Sequence, residues 1–158
     1  MILKEIHTLR PEFLDQILTQ CLQRLMRAQR HDAHHWGLVS AAVLGPQGQL
    51  AYGVNHRDST GHRIHAEAVA LHQYIQKHGE VDQDCVIITT LSPCSLEMVD
   101  RAGPSCTDLI NHLGISRVYC GYQDPTQPAD PARFRVQCTG NRDIRDLCKK
   151  IADTFLKP

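Results

Sequence analysis

Residues 85–94 read CVIITTLSPC, and this stretch decides the fold. Its first part is a continuous run rich in β-branched side chains, which is typical of a central strand covered on both faces of a sheet. Such a strand delivers Pro93 and Cys94 to the edge of the sheet. Upstream, residues 62–71 read HRIHAEAVAL and open a helical pattern that contains His65 and Glu67. The sequence therefore predicts that a buried strand and the start of a helix present polar side chains to one site.

Two of these side chains, His65 and Cys94, have the chemistry of zinc ligands, and Cys106, farther along the chain, is a third candidate. One imidazole and two thiolates suit Zn²⁺, and three protein ligands leave a fourth position for water, as in catalytic sites. Zinc lowers the pKa of its water to about 7. Glu67 would then act as general acid and base, taking a proton from the water and giving it to a leaving amine. His62 is the alternative to His65 as a ligand because it is equally near in sequence.

The spacing of His65 and Glu67 constrains where the helix begins. Residues two apart on an ideal helix differ by about 200° in direction, so both cannot share one face. The pair can serve a single site only at the helix start, where the backbone is not yet regular. There the backbone N–H of Ala66 is also available to donate to a carbonyl of a bound ligand. The helical pattern ends at His78, with Gly79 as its C-terminal cap.

The pattern H-x-E at residues 65–67, followed by Pro93-Cys94 and a further cysteine, resembles the zinc-dependent deaminases of the cytidine deaminase superfamily. Eleven residues, 95–105, separate the two cysteines here, whereas the family signature has two. A wide gap with a proline before the second cysteine, and the sequence that follows it, resembles the pyrimidine deaminase of riboflavin biosynthesis. The resemblance runs from about Gly37 to Pro125. It implies a three-layer α/β/α fold, Zn²⁺ as cofactor, and His65 as the ligand in preference to His62.

The same resemblance implies contacts to the substrate. Asn55, at the end of a predicted strand, corresponds to a residue that contacts the sugar, although asparagine is also a common turn former there. The backbone carbonyl of Ser92 would accept a hydrogen bond from the amino group being removed, and Ala66 would contact the base. Asp124 resembles a rim residue of the site, and a turn before Pro125 explains it equally well. Serine before Pro93 is frequent in cytidine deaminases, whereas riboflavin-pathway deaminases commonly have glutamate, so the substrate class stays open.

Periodicity and turn residues predict the remaining elements. The segments are a helix over residues 11–30, a hairpin of strands 37–44 and 49–54, a polar loop without strong structure over 55–63, a helix from residue 106 to 113, a strand over 116–122, a possible fifth strand over 132–138 and a final helix capped by Asn141. The helix that contains Glu67 and the strand that precedes Ser92 complete this order. The order predicts an α/β fold with a mixed central sheet of about five strands and helices on both faces.

Length and composition exclude several classes of protein. A chain of 158 residues is expected to form one domain, residues 1–158, with a core that needs no disulfides. Its 17 acidic and 17 basic residues give zero net charge, which argues against nucleic acid or a membrane surface as partner. Three Phe and one Trp provide few platforms for base stacking. Seven cysteines without a signal-peptide pattern predict free thiols in the cytoplasm.

Three functions remain in competition. The leading hypothesis is a zinc-dependent deaminase of a small pyrimidine nucleotide-like molecule, first of all the diaminopyrimidine ribosylamino phosphate of riboflavin biosynthesis. No reductase domain follows, so only deamination is expected, and the resemblance implies a homo-oligomer, a dimer. The second hypothesis keeps the same reaction but has a different substrate, an adenosine or cytidine within RNA or DNA. The third is a non-catalytic structural zinc module, which requires a fourth ligand such as His62 or another cysteine.

Other candidate sites are disfavoured. His31, His34 and His35 could suggest a second metal, but no acidic or cysteine partner except Asp32 accompanies them. Cys138 and Cys148 have no companion pair with zinc-finger spacing. The segment 95–105 between the cysteine ligands either closes over the substrate or decorates the surface. Within it, Leu96, Met98 and Val99 are expected to pack, and Glu97 and Asp100 to be solvated.

Overall fold

A computed structural model describes residues 10–31, 38–95, 104–127 and 133–156, without the side chains of residues 29–31. Within these ranges four helices and seven strands follow one another. Their order is α1 (Pro11–His31), β1 (Ser40–Leu44), β2 (Leu50–Val54), β3 (His56–Arg57), β4 (Arg63–Ile64), α2 (Ala66–His78), β5 (Val86–Leu91), α3 (Cys106–Leu113), β6 (Arg117–Tyr122), β7 (Arg135–Cys138) and α4 (Arg142–Asp153).

The central sheet has five strands in the order β2-β1-β5-β6-β7. Strand β1 is antiparallel to both β2 and β5, whereas β5, β6 and β7 run parallel to one another. All six residues of β5 are buried, as expected for a strand covered on both faces. The predicted mixed sheet of about five strands is therefore confirmed, including the possible fifth strand, which ends at Cys138.

Helices cover both faces of this sheet because successive strand residues point to opposite sides. The core under α2 and α3 contains Ala41, Val43, Ala66, Ala70, Leu71, Tyr74, Ile87, Ile110 and Val118. The core under α1, to which α4 contributes Ile144, contains Leu14, Ile17, Leu18, Cys21, Ala42, Leu44, Ile88 and Tyr119. The three-layer α/β/α architecture is thus confirmed, and β1 and β5 supply residues to both cores.

The helix boundaries follow the local chemistry of the sequence. Helix α1 begins at Pro11, and the Asn141 side chain caps α4 by accepting a hydrogen bond from the Ile144 backbone N–H at 3.1 Å. Gly79 and Gly114 end α2 and α3 with positive φ angles of 90° and 72°. None of the helices in the described ranges is both long enough and apolar enough to cross a membrane.

The prediction of a polar loop without strong structure over residues 55–63 misses two short strands. Strands β3 and β4 pair there as a short antiparallel ribbon, with Arg57 opposite Arg63. The Asp58 carboxylate closes the turn between them by accepting hydrogen bonds from the backbone N–H groups of Thr60 and His62, each at 2.9 Å. Such side-chain-to-backbone bonds form turns without any apolar pattern, which is why hydrophobic periodicity does not detect this ribbon.

Strand β1 begins at Ser40, three residues later than predicted. The region before Leu38, residues 32–37, lies outside the described residues, as does the middle of the segment between the cysteine ligands, residues 96–103. The expectations for Leu96, Glu97, Met98, Val99 and Asp100 therefore stay predictions.

Gly53 marks a close approach between β2 and α2. A Cβ atom added at Gly53 would lie 2.5 Å from the backbone nitrogen of Ala70 and 2.7 Å from the carbonyl oxygen of Ala66. Side-chain carbons do not approach backbone atoms this closely. The absence of a side chain at Gly53 therefore allows the first turns of α2, which follow His65, to lie directly on the sheet.

We expect Gly53→Ala to lower the free energy of unfolding by about 1–3 kcal/mol because overpacking forces the helix to shift. This cost exceeds the gain of about 0.4–1 kcal/mol that alanine brings by restricting the unfolded chain. Equilibrium denaturation in urea measures both effects. Gly140→Ala is the matched control, since a Cβ there meets no atom within 4 Å. An equal loss in both variants would contradict the steric explanation.

Candidate metal centre and active-site pocket

The start of α2 places His65 and Glu67 at one site. His65 is the N-cap residue, with an extended backbone (φ −75°, ψ 153°), and the helix begins only at Ala66. Since His65 lies outside the regular helix, the angular constraint on residues two apart does not apply. Cys106 Sγ lies 3.4 Å from His65 Nδ1 and 3.4 Å from Glu67 Oε2, so both side chains reach the same group.

The two cysteines come from the end of β5 and the start of α3. Ser105 caps α3, with its hydroxyl oxygen accepting from the backbone N–H of Asp108 at 3.1 Å. The next two amides of the helix contact Cys94, because Cys106 N–H donates to the Cys94 sulfur at 3.4 Å and Thr107 N–H donates to the Cys94 carbonyl at 3.0 Å. The helix N-terminus thereby holds Cys94 beside Cys106 despite their separation in sequence.

The three donor atoms fit one zinc ion. His65 Nδ1 lies 3.4 Å from the sulfur of Cys94 and 3.4 Å from that of Cys106. Tetrahedral zinc with Zn–S of about 2.3 Å and Zn–N of about 2.0–2.1 Å places nitrogen and sulfur ligands about 3.5 Å apart. All ligand atoms of this group lie within 4.8 Å of one another, and among the described residues no further His, Cys, Asp or Glu completes it.

Electrostatics favour the thiolate at this centre. The hydrogen bond with Cys106, together with the hydrogen bond and charge of His65, lowers the pKa of Cys94 to about 4, although burial acts in the opposite direction. The thiolate is the form of cysteine that binds metal. Cys106 itself is fully buried at the first position of α3, where the helix dipole favours a negative charge.

Glu67 is a buried carboxyl group beside the donor atoms. It is only 3% exposed, and burial raises its pKa because a charged carboxylate is poorly solvated there. The hydroxyl of Thr89, on β5, lies 3.1 Å from Glu67 Oε1 and 2.8 Å from the Leu91 carbonyl, so its hydrogen bond is shared between them. A positioned carboxyl group whose pKa is shifted toward neutrality suits proton transfer.

These groups open into a cavity of about 270 Å³. Each predicted substrate-contact residue, Asn55, Ala66 and Ser92, lines it, together with His65, Glu67 and Cys94. The further lining residues are Val39, Arg63, Leu91, Asp124, Thr126, Gln127, Phe155 and Leu156. The structure therefore brings the predicted catalytic, metal and substrate-contact positions together at one end of the sheet, with the Cys106 sulfur 3.4 Å from both His65 and Glu67 of the cavity lining.

Hydrogen bonds fix the walls of the cavity. Asn55 exchanges two hydrogen bonds with Val39: its side-chain oxygen accepts from Val39 N–H at 2.9 Å, and its own N–H donates to the Val39 carbonyl at 3.1 Å. The Ser92 hydroxyl accepts from Asp124 N–H at 2.8 Å. Asp124 in turn accepts from the amide and hydroxyl of Thr126, at 2.8 and 2.6 Å. Asp124 is thus both a turn former and a residue of the cavity wall.

His62 is not part of the metal group. Its side chain is half exposed and is held on the β3–β4 turn, with Nδ1 2.6 Å from the Thr60 hydroxyl and 3.8 Å from an Asp58 oxygen. The preference for His65 therefore agrees with the geometry. His34, His35 and the side chain of His31 lie outside the described residues, so the prediction about a second metal is not tested.

Several residues of the cavity cannot be found by motif reasoning. Arg63 belongs to the ribbon that the sequence pattern misses, and Phe155 and Leu156 arrive from the far end of the chain, after α4. Thr89 carries a weak signal, because a hydroxyl at a central position of a buried strand requires a hydrogen-bond partner. Combined with the H-x-E pattern, this requirement indicates Glu67 as the hydrogen-bond partner of Thr89.

This arrangement of fold and donor atoms is that of a zinc-dependent hydrolase. A sequence model described as "Cytidine and deoxycytidylate deaminase zinc-binding region" matches residues 12–122. The match spans more than half of the chain, which therefore belongs to this family of zinc-dependent hydrolytic deaminases. The superfamily resemblance drawn from residues 65–67, 93–94 and 106 is confirmed. No curated protein is significantly similar to the chain in sequence.

Solved structures share the fold at low sequence identity. A diaminohydroxyphosphoribosylaminopyrimidine deaminase/5-amino-6-(5-phosphoribosylamino)uracil reductase from Thermotoga maritima is 21% identical with a TM-score of 0.59, covering 89% of this chain and 40% of that one. RibD from Acinetobacter baumannii is 18% identical with a TM-score of 0.66, covering 92% and 40%. A dCMP deaminase from cyanophage S-TIM5, in complex with dCMP and dUMP, is 19% identical with a TM-score of 0.60, covering 82% and 98%. The chain thus spans about two-fifths of the length of the first two proteins.

Proposed function

We propose that the chain catalyses the hydrolytic deamination of a pyrimidine nucleotide-like small molecule, with Zn²⁺ held by His65, Cys94 and Cys106. The observation that carries this proposal is the buried carboxyl group of Glu67, 3.4 Å from the Cys106 sulfur and facing a cavity. A structural zinc site has no use for such a group. The reaction replaces an exocyclic amino group by the oxygen of water and releases ammonia.

Each residue of the site has its own role in the proposed reaction. Bound zinc supplies Lewis acidity that makes water nucleophilic near neutral pH. Glu67 takes a proton from the water and gives one to the departing amine, and Thr89 holds the carboxyl group in place. The Ser92 backbone carbonyl accepts a hydrogen bond from the amino group, and the Ala66 N–H at the start of α2 donates to a carbonyl of the base. Asn55 contacts the sugar.

Our first choice of substrate is the diaminopyrimidine ribosylamino phosphate of riboflavin biosynthesis. The wide spacing between the cysteine ligands and the proline before Cys106 support it, and a deaminase named for a related substrate shares the fold. The dCMP deaminase likeness and serine at position 92 support dCMP as the alternative. Both compounds carry a phosphate, and Arg63, a cationic residue, is among the residues that line the cavity.

Ammonia release from the zinc-loaded protein tests this proposal. The panel contains the diaminopyrimidine ribosylamino phosphate, its dephosphorylated form, dCMP, cytidine and a single-stranded oligonucleotide with cytidine and adenosine. Turnover of a free nucleotide supports the proposal. Turnover of the oligonucleotide alone, weakening with salt, would replace it by nucleic-acid deamination. No turnover of any aminopyrimidine or nucleobase would favour a non-catalytic zinc module.

We expect Arg63→Gln to raise KM for the phosphate-bearing substrate about 10- to 100-fold, since a charge-assisted hydrogen bond contributes about 1.5–3 kcal/mol. For the dephosphorylated form the change should be much smaller. Steady-state kinetics on both compounds measures the difference. Arg57→Gln is the matched control, because Arg57 is the exposed partner of Arg63 in the same ribbon and lies outside the cavity lining. An equal effect of Arg63→Gln on both compounds would contradict a phosphate contact.

We further propose that the protein is a homodimer, as the resemblance implies. Light scattering of the purified protein tests this. Zero net charge supports a small-molecule substrate over nucleic acid. The exposed position of His62 on its own turn supports an open metal site over a closed four-ligand one.

A further inference from the structure

Cys120 and Cys138 form a second pair of thiols, outside the metal centre. They are directly opposite each other on the parallel strands β6 and β7, and their sulfur atoms lie 3.4 Å apart. Thr89 on β5 is in turn opposite Cys120. The row Thr89, Cys120 and Cys138 therefore crosses the sheet on the face that carries Glu67 and ends at the surface.

The two thiols differ in exposure and in acidity. Cys120 is fully buried, whereas Cys138 is exposed. The hydrogen bond between them lowers the pKa of Cys138 to about 7, with a contribution from the charge of Arg145, and it raises the pKa of Cys120. A solvent-accessible thiol whose pKa is lowered, with a second thiol at contact distance, has the features of a redox-active pair.

We propose that Cys120 and Cys138 are an oxidative modification site, a dithiol that hydrogen peroxide converts reversibly into an intramolecular disulfide. The Cys138 thiolate attacks one peroxide oxygen, the O–O bond breaks, and the departing hydroxide takes a proton to form water. Cys138 is then a sulfenic acid. The Cys120 sulfur attacks the Cys138 sulfur, the S–O bond breaks, and the hydroxide leaves as water with the Cys120 proton. In total, two thiols and one peroxide give one disulfide and two waters.

Geometry permits the bond without a change of register. Neighbouring strands lie about 4.7–4.9 Å apart, within the separation of Cα atoms that disulfides span. Oxidation requires the sulfurs to approach from 3.4 Å to about 2.0 Å, a movement that side-chain torsions can supply. The closed ring contains Asp124, Thr126 and Gln127 of the cavity wall, so the disulfide would fasten both ends of the segment that bears them.

Peptide mapping of the zinc-loaded protein after treatment with equimolar hydrogen peroxide tests the proposal. Trypsin places Cys120 in the peptide 118–133 and Cys138 in the peptide 136–142, each with a single cysteine. We expect these two peptides to be recovered as one disulfide-linked species, and dithiothreitol to restore both thiols. Cys138→Ser should abolish the link and leave Cys120 reduced. Cys120→Ser should stop the reaction at the sulfenic acid of Cys138, which dimedone traps.

Cys148→Ser is the matched control, since Cys148 is a buried thiol on α4 that faces Gly121. This variant should form the 120–138 link as the original protein does. Oxidation of Cys138 to the sulfinic acid without a linked peptide would overturn the proposal. Loss of the link in Cys148→Ser, or oxidation of Cys94 and Cys106 before Cys138, would overturn it as well.

Discussion

Glu67→Gln should lower kcat by about 10²–10⁴-fold, the range expected for loss of a general acid and base. Glutamine keeps the size of the side chain and can still accept the hydrogen bond from Thr89, but it cannot shuttle a proton. The metal donors His65, Cys94 and Cys106 are untouched, so zinc should stay at one equivalent. Ammonia release on the best substrate and metal analysis of the same sample measure the two quantities together.

Glu80→Gln is the matched control for this experiment because Glu80 is exposed just beyond the end of α2. We expect it to leave both kcat and zinc content unchanged. If Glu67→Gln kept full activity with zinc bound, the assignment of proton transfer to Glu67 would be wrong. If it lost zinc as well, the carboxyl group would be a ligand or a support of the metal centre instead.

Cys106→Ala should remove both the metal and the activity. Two donors remain, and the sulfur that contacts His65, Glu67 and the Cys94 side chain is lost. In the original protein, zinc at a thousand times its dissociation constant adds about 4.1 kcal/mol to the free energy of unfolding. The variant should show no such gain, so its melting temperature should be the same with zinc and with a chelator.

Cys148→Ala serves as control, since it deletes a buried thiol that belongs to α4 and is not part of the metal group. It should keep stoichiometric zinc and the zinc-dependent rise in melting temperature, even if its overall stability falls. A Cys106→Ala protein that still binds one equivalent of zinc tightly would contradict the proposed donor set.

The architecture could be predicted because its signals are local and strong. The β-branched run ending at Leu91 has one structural solution, a buried central strand, and Pro11, Gly79 and Asn141 each set a helix boundary through backbone geometry or a capping bond. The small ribbon at residues 56–64 escaped prediction because Asp58 builds it from side-chain hydrogen bonds. Such bonds leave no hydrophobic period in the sequence.

The centre of the site could be predicted for a different reason. Histidine and cysteine are the usual ligands of zinc, so the identities of His65, Cys94 and Cys106 alone point to a metal. The two-residue spacing of His65 and Glu67 requires the helix to start between these two residues. The rim could not be predicted in this way. Arg63, Phe155 and Leu156 are ordinary surface or helix residues in the sequence, and only the packing of α4 and of the ribbon brings them to the cavity.

The contact between the first turn of α3 and Cys94 makes the positions of the cysteine ligands independent of the length of the segment that joins them. The backbone N–H groups of Cys106 and Thr107 donate hydrogen bonds to the sulfur and the carbonyl of Cys94. The arrangement of the metal donors therefore depends on these tertiary hydrogen bonds and not on the number of residues between the ligands. Metal binding therefore does not constrain the length of the segment at residues 95–105. The length and sequence of this segment can therefore change during evolution, to suit a new ligand, while the three donor atoms stay together.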